Sequence, residues 1–132
     1  MDDLTVLTFV PGSQAFRRSQ DDYVVEIPSS ISDREQLFQV IAEELQFPNY
    51  FGYNWDALDE LLRDFSWIKQ RRIVMVHHDL PLRLKAKDLK SYVEILITAI
   101  KDWKQGEEHQ LIVVFPLKDR ETIQRILQTD EL

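Results

Sequence analysis

Cysteine is missing from this 132-residue sequence, and glycine occurs only three times. Without cysteine the chain can form no disulfide, no thiolate metal site and no cysteine nucleophile, so its fold must rest on packing alone. The scarcity of glycine favours regular elements joined by short connections. Because a protein without disulfides suits a reducing compartment, we expect a cytoplasmic location.

Long hydrophobic runs and a leader segment are also missing. The longest apolar runs have the length of a strand, which is too short to cross a membrane. The first residues, Met1, Asp2 and Asp3, are not the basic start that a signal peptide requires. We therefore expect a soluble protein without a membrane partner.

Positive charge is in deficit, because 16 Lys and Arg residues stand against 23 Asp and Glu residues, for a formal net charge of -7. Such a chain repels nucleic-acid backbones and anionic membrane surfaces, so no nucleic-acid partner is expected. A basic protein is the natural complement. A moderate negative charge also simply keeps a small domain soluble, so charge alone does not select a function.

The apolar pattern predicts strands and helices within a single domain at residues 1–132. Strands are expected at 4–10, 23–27, 73–76 and 111–115, where Val, Ile and aromatic residues are frequent. Helices are expected after a capping box that begins at Ser32, from Trp55 to about Phe65, around 89–103, and at 119–127. The short uninterrupted apolar strands are typical of a parallel sheet that is covered on both faces.

The second predicted helix carries three carboxylates on one face. Its apolar side chains have the spacing of a buried stripe and are Leu58, Leu61, Leu62 and Phe65. Asp56, Asp59 and Glu60 must then point outward, where their mutual repulsion costs roughly a few tenths of a kcal/mol per pair. A purely structural account is also open, because Asp56 lies in the first turn and Arg63 could pair with Asp59 or Glu60.

The segment at residues 47–58, FPNYFGYNWDAL, resembles the barstar family of ribonuclease inhibitors. It follows a helix that ends before a proline, and it combines an aromatic loop, a helix cap and an acidic helix face. The resemblance implies an α/β fold in which a small three-stranded parallel sheet packs against helices over a core at about 21–116. Residues 1–20, with an extra strand-like segment, and residues 117–132, with a C-terminal helix, would then be extensions.

The same resemblance implies a function. Members of the family block the active site of a ribonuclease in a 1:1 complex and place carboxylates where the phosphates of the substrate would lie. Carried over by position, the partner-binding residues would be Tyr50, Phe51, Gly52, Asn54, Asp56, Asp59 and Glu60. Asp59 stands where the family has Trp, and Glu60 stands where it has a second Asp. An immunity or interaction protein of the same fold with a non-nuclease partner is therefore the alternative.

The loop before the second helix has two open interpretations. Its aromatic residues either fold back onto the core or stay exposed beside the carboxylates, where they would have the composition of an interface hot spot. Gly52 is expected to provide a positive φ that the loop requires.

Catalysis is not expected, and no cofactor is predicted. A metal-dependent phosphoesterase would need ligands that converge on one point, whereas side chains on one helix face diverge. His77 and His78 are neighbours on a predicted strand and point to opposite sides, and His109 stands alone before a strand. We therefore predict no metal site.

Overall fold

A computed structural model describes residues 4–12, 16–104, 106 and 108–129 of the chain. Its four strands are β1 (Thr8–Val10), β2 (Tyr23–Ile27), β3 (Arg72–His77) and β4 (Gln110–Pro116). Its four α-helices are α1 (Arg34–Glu44), α2 (Trp55–Leu62), α3 (Ala86–Lys104) and α4 (Arg120–Leu127). Short 3-10 turns lie at Leu4–Val6 and Leu117–Asp119. The α/β class and the parallel sheet packed against helices are confirmed.

The sheet has four strands in the order β1-β4-β3-β2, so the prediction of three strands was wrong. All three neighbouring pairs are parallel. The strand-like N-terminal segment supplies the additional strand, because Thr8, Phe9 and Val10 align with Val114, Phe115 and Pro116. This segment therefore extends the sheet at the outer edge of β4.

The central strand β3 is buried on both faces, as the uninterrupted apolar run predicted. Ile73 and Met75 belong to the large core cluster with the helices. Val74 and Val76 belong to a smaller cluster on the opposite face, with Val10 and Val114. Because successive side chains of a strand alternate between faces, this single strand joins both cores.

The helix boundaries differ from the predictions at two places. The N-cap of α1 is Asp33 and not Ser32, because the Asp33 carboxylate accepts from the Gln36 amide at 2.8 Å. The Gln36 side chain in turn accepts from the Ser32 amide at 3.2 Å. Helix α2 ends at Leu62 and not near Phe65, which adopts a left-handed φ of 49° and is still fully buried.

Two tryptophan side chains fix the helices around α2. The Trp103 indole donates to the Leu62 carbonyl at 2.8 Å and thus joins the end of α2 to α3. The Trp67 indole donates to the Leu45 carbonyl, also at 2.8 Å, at the end of α1. Each bond satisfies a carbonyl at a helix terminus, where no backbone donor is available within the helix.

A buried histidine links β3 to α3 and β4. His77 is 1% exposed, its Nδ1 lies 3.0 Å from the Val114 carbonyl oxygen, and its Nε2 lies 2.7 Å from the Tyr92 hydroxyl oxygen. Because a carbonyl can only accept, Nδ1 carries the proton and Nε2 accepts from Tyr92. Burial lowers the pKa of His77 to about 3, so the ring is neutral.

Candidate functional site

Helix α2 turns its apolar side inward and its carboxylates outward. Leu58, Leu61 and Leu62 are buried. Asp56 and Glu60 are exposed, and Asp59 is partly exposed. We call Asp56, Asp59 and Glu60 the acidic surface. Since the buried stripe fixes the rotation of the helix, the acidic surface has a defined orientation towards solvent.

Only one of the two possible pairs for Arg63 forms. Its guanidinium donates to the Asp59 carboxylate at 2.9 Å, with both side chains partly exposed. Neither Asp56 nor Glu60 makes an ion pair with any residue that the structure describes. These two carboxylates therefore keep their charge available for a partner, whereas Asp59 is partly compensated.

Asn54 begins α2 as predicted, since its side-chain oxygen accepts from the Ala57 amide at 2.8 Å. Gly52 does not have the positive φ that was expected, and the residue of the loop with a left-handed φ, at 53°, is Tyr53. Gly52 is instead tightly packed, because a Cβ there would lie 3.1 Å from Asn54 Nδ2. That nitrogen also donates to the Gly52 carbonyl at 3.2 Å. The absence of a side chain at Gly52 thus lets the cap residue fold back onto the loop.

The loop aromatics divide between the two interpretations. Phe51 is 6% exposed and packs edge-on against Phe47 and Phe38 at centroid distances of 4.9 and 6.1 Å. Tyr50 and Tyr53 are 70% and 56% exposed. The ring of Phe51 therefore packs on the core side of the loop and supports it. Contact between that ring and a partner remains a prediction. Tyr50 is open to solvent, and its contact with a partner also remains a prediction.

A groove of about 340 Å³ runs between α2 and α3 beside the acidic surface. Asp56 and Asp59 line it from α2, and Glu94 lines it from α3, together with Trp55 and Ile95. Glu94 was not among the predicted site residues. The spacing of Ser91, Ile95 and Thr98 indicates that they share one face of α3. No pattern in the sequence indicates that this face, with Glu94, packs beside α2.

The three histidines have separate partners. His77 is buried as described, whereas His78 is exposed and lies 2.8 Å from the Glu26 carboxylate. His109 is also buried, and its Nδ1 lies 2.9 Å from the Gln70 carbonyl oxygen. Among the described residues, no group of three metal-ligating side chains comes together. Over the same part of the chain, none of the helices combines the length and the hydropathy that a membrane span requires.

Replacing the cap residue should weaken the start of α2. Asn54→Ala removes the acceptor for the Ala57 amide, and we expect a loss of about 1 kcal/mol in the free energy of unfolding. Asn49→Ala is the matched control, because Asn49 is exposed in the same loop. Urea denaturation measures both variants. Equal stability of the two variants would contradict the role of Asn54 as a cap.

The fold agrees with a comparison against protein families. The family model described as barstar, the barnase inhibitor, matches residues 12–116. Comparisons with curated proteins and with solved structures find no match. The matched region contains the aromatic loop, α2, and strands β2 to β4, whereas β1 and α4 lie outside it. This chain therefore belongs to the barstar family.

Proposed function

We propose that this protein inhibits a ribonuclease by covering its basic active site with the acidic surface and the preceding aromatic loop. The observation that carries the proposal is the exposure of Asp56 and Glu60, without ion pairs among the described residues, on a helix whose other side is anchored in the core. The family match supports the same function, since the family is described as barnase inhibitors. The complex would be 1:1 and cytoplasmic, and the inhibitor itself would not be an enzyme.

The physical basis is electrostatic substitution. A ribonuclease must bind phosphates, and it does so with cationic side chains, which carboxylates can also pair with. Because α2 is held by three buried leucines, binding orders only the side chains and costs little backbone entropy. The net charge of -7 would also speed association with a basic partner.

Barnase provides a direct test. We expect RNA cleavage by barnase to fall in proportion to added protein and to be lost at equimolar concentrations, while the protein alone cleaves no RNA. The Asp56→Ala/Glu60→Ala double variant is the control, because it removes the charges from an exposed helix face. Full cleavage in the presence of a molar excess of folded protein would contradict the proposal.

One observation favours a second candidate function, that of an immunity or interaction protein for a basic partner that is not a nuclease. Asp59 stands where an aromatic residue is implied by the resemblance, and Arg63 holds its carboxylate at 2.9 Å. An aromatic contact is thereby replaced by a charged one. Binding to a basic protein without any effect on RNA cleavage would support this candidate.

A further inference from the structure

A second groove is lined by α1 and the aromatic loop, and none of its lining residues belongs to α2. Its volume is about 180 Å³, and it is bounded by the last turns of α1 and by the loop that follows. Three aromatic rings and one carboxylate define its chemistry, and these belong to Phe47, Phe51, Tyr53 and Glu43. Among these four residues, the resemblance assigns partner binding to Phe51 alone.

Tyr53 is the unusual residue of the groove. Its φ of 53° is in the left-handed region, which is rare for a bulky side chain. The ring nevertheless remains 56% exposed, and its centroid lies 4.7 Å from that of Phe51. The loop conformation thus fixes a largely exposed ring at the edge of the groove, where a partner side chain can reach it.

Glu43 supplies the charge of the groove. It lies in the last turn of α1, is exposed, and makes no ion pair with any residue of the described part of the chain. A helix C-terminus disfavours a carboxylate, because the helix dipole places partial negative charge there. A cationic group in the groove would relieve both the unpaired charge and the unfavourable dipole interaction.

Among cationic side chains, arginine fits this combination best. Its guanidinium stacks on aromatic faces and also pairs with carboxylates, whereas its aliphatic stem packs on apolar surface. Phe47 and Tyr53 offer ring surface, and Glu43 offers the carboxylate. The buried ring of Phe51 packs against both of these rings and supports them. The strongly hydrated ammonium of lysine would gain less from the rings.

We propose that this groove binds an arginine side chain of the basic protein partner, so that the docking surface extends from α2 across the loop to the end of α1. The identity of that partner rests on the proposed function. The chemistry of the groove does not rest on it, because that chemistry follows from the aromatic rings and the carboxylate among the lining side chains. Tyr53 and Glu43 are then specificity-determining residues of this chain.

Titration with a short peptide tests the groove without any assumption about the partner. The probe is tri-arginine with blocked ends, added to isotope-labelled protein and followed by nuclear magnetic resonance. We expect the largest shift changes at Glu43, Phe47 and Tyr53, and weaker binding of blocked tri-lysine. Shift changes confined to α2 and α3, or no saturable changes, would overturn the proposal.

Four variants make the test specific. Tyr53→Asn keeps a residue that tolerates the left-handed conformation, and Glu43→Gln keeps the shape of the side chain. Each should weaken tri-arginine binding about two- to fivefold. The controls are Leu84→Asn, which alters a side chain that is 94% exposed elsewhere, and Glu35→Gln at the opposite end of α1. Equal effects of variants and controls would overturn the assignment of Tyr53 and Glu43.

Barnase separates this proposal from the proposed function. If barnase is not inhibited but tri-arginine binds the groove, the ribonuclease assignment fails and the groove stands. If barnase is inhibited but neither Tyr53→Asn nor Glu43→Gln weakens either complex, the groove proposal fails and the inhibitor function stands.

Discussion

Acidification from about pH 7 to about pH 4.5 is expected to lower the free energy of unfolding by about 2 to 3 kcal/mol through His77 alone. Burial lowers the folded-state pKa of His77 to about 3, from 6.5 for an unperturbed histidine, and its contact with Val114 opposes this shift only in part. Between about pH 6.5 and about pH 3, His77 is protonated in the unfolded chain but stays neutral in the folded protein. The stability that neutral His77 provides is therefore complete above about pH 6.5 and is lost progressively towards about pH 3.

Urea denaturation at several pH values measures this effect. The His77→Leu/Tyr92→Phe double variant removes the titrating ring together with its hydroxyl partner, and it should lose most of the dependence between about pH 6.5 and pH 4.5. His78→Gln is the matched control, because His78 is exposed on the same segment and should leave the dependence largely in place. If the double variant keeps the full dependence, His77 is not its source.

The second large effect separates the stability of α2 from its binding role. Leu62 is fully buried, so Leu62→Ala should lower the free energy of unfolding by about 2 to 5 kcal/mol through lost burial and a cavity. Asp56→Ala and Glu60→Ala should leave stability nearly unchanged, because exposed helical charges contribute little.

Each carboxylate variant should instead weaken the complex with a basic partner by about 2 to 5 kcal/mol, mainly through faster dissociation, because a cation is left unpaired. This range derives in part from charge pairs measured between barnase and barstar, which is a member of the same family. The expected magnitude is therefore taken over from a relative. Thermal melting beside binding kinetics measures the three variants. If Asp56→Ala and Glu60→Ala fold normally and bind with unchanged affinity, the acidic surface faces solvent and does not contact the partner.

The sequence predicts those parts of the fold that depend on local patterns. The apolar stripe of α3 and the cap at Asn54 follow from spacing and residue type, and both are present in the structure. The partner of β1 was not predictable, because a three-residue strand carries too little pattern to select one edge among several. At α1, both Ser32 and Asp33 are good cap residues, and local pattern does not decide between them.

The candidate site shows the same division. Outward carboxylates on α2 follow from the leucine stripe that faces the core. Glu94 reaches the groove beside the acidic surface, and Glu43 reaches the groove at the aromatic loop, only through the packing of the tertiary structure. An aromatic residue in a loop is equally compatible with burial and exposure, and the structure resolves this differently for Phe51 and Tyr53.

The pairing of β1 with β4 also orders events during synthesis of the chain. Thr8 leaves the ribosome about 100 residues before its neighbour Val114. At about 5 to 20 residues per second, β1 waits roughly 5 to 20 s for that neighbour. During this interval the apolar side chains of β1 must remain unpaired, and closing such a long loop is slow. Among the described strands, β1 is thus made before the others, and yet it cannot join the sheet until β4 has been made.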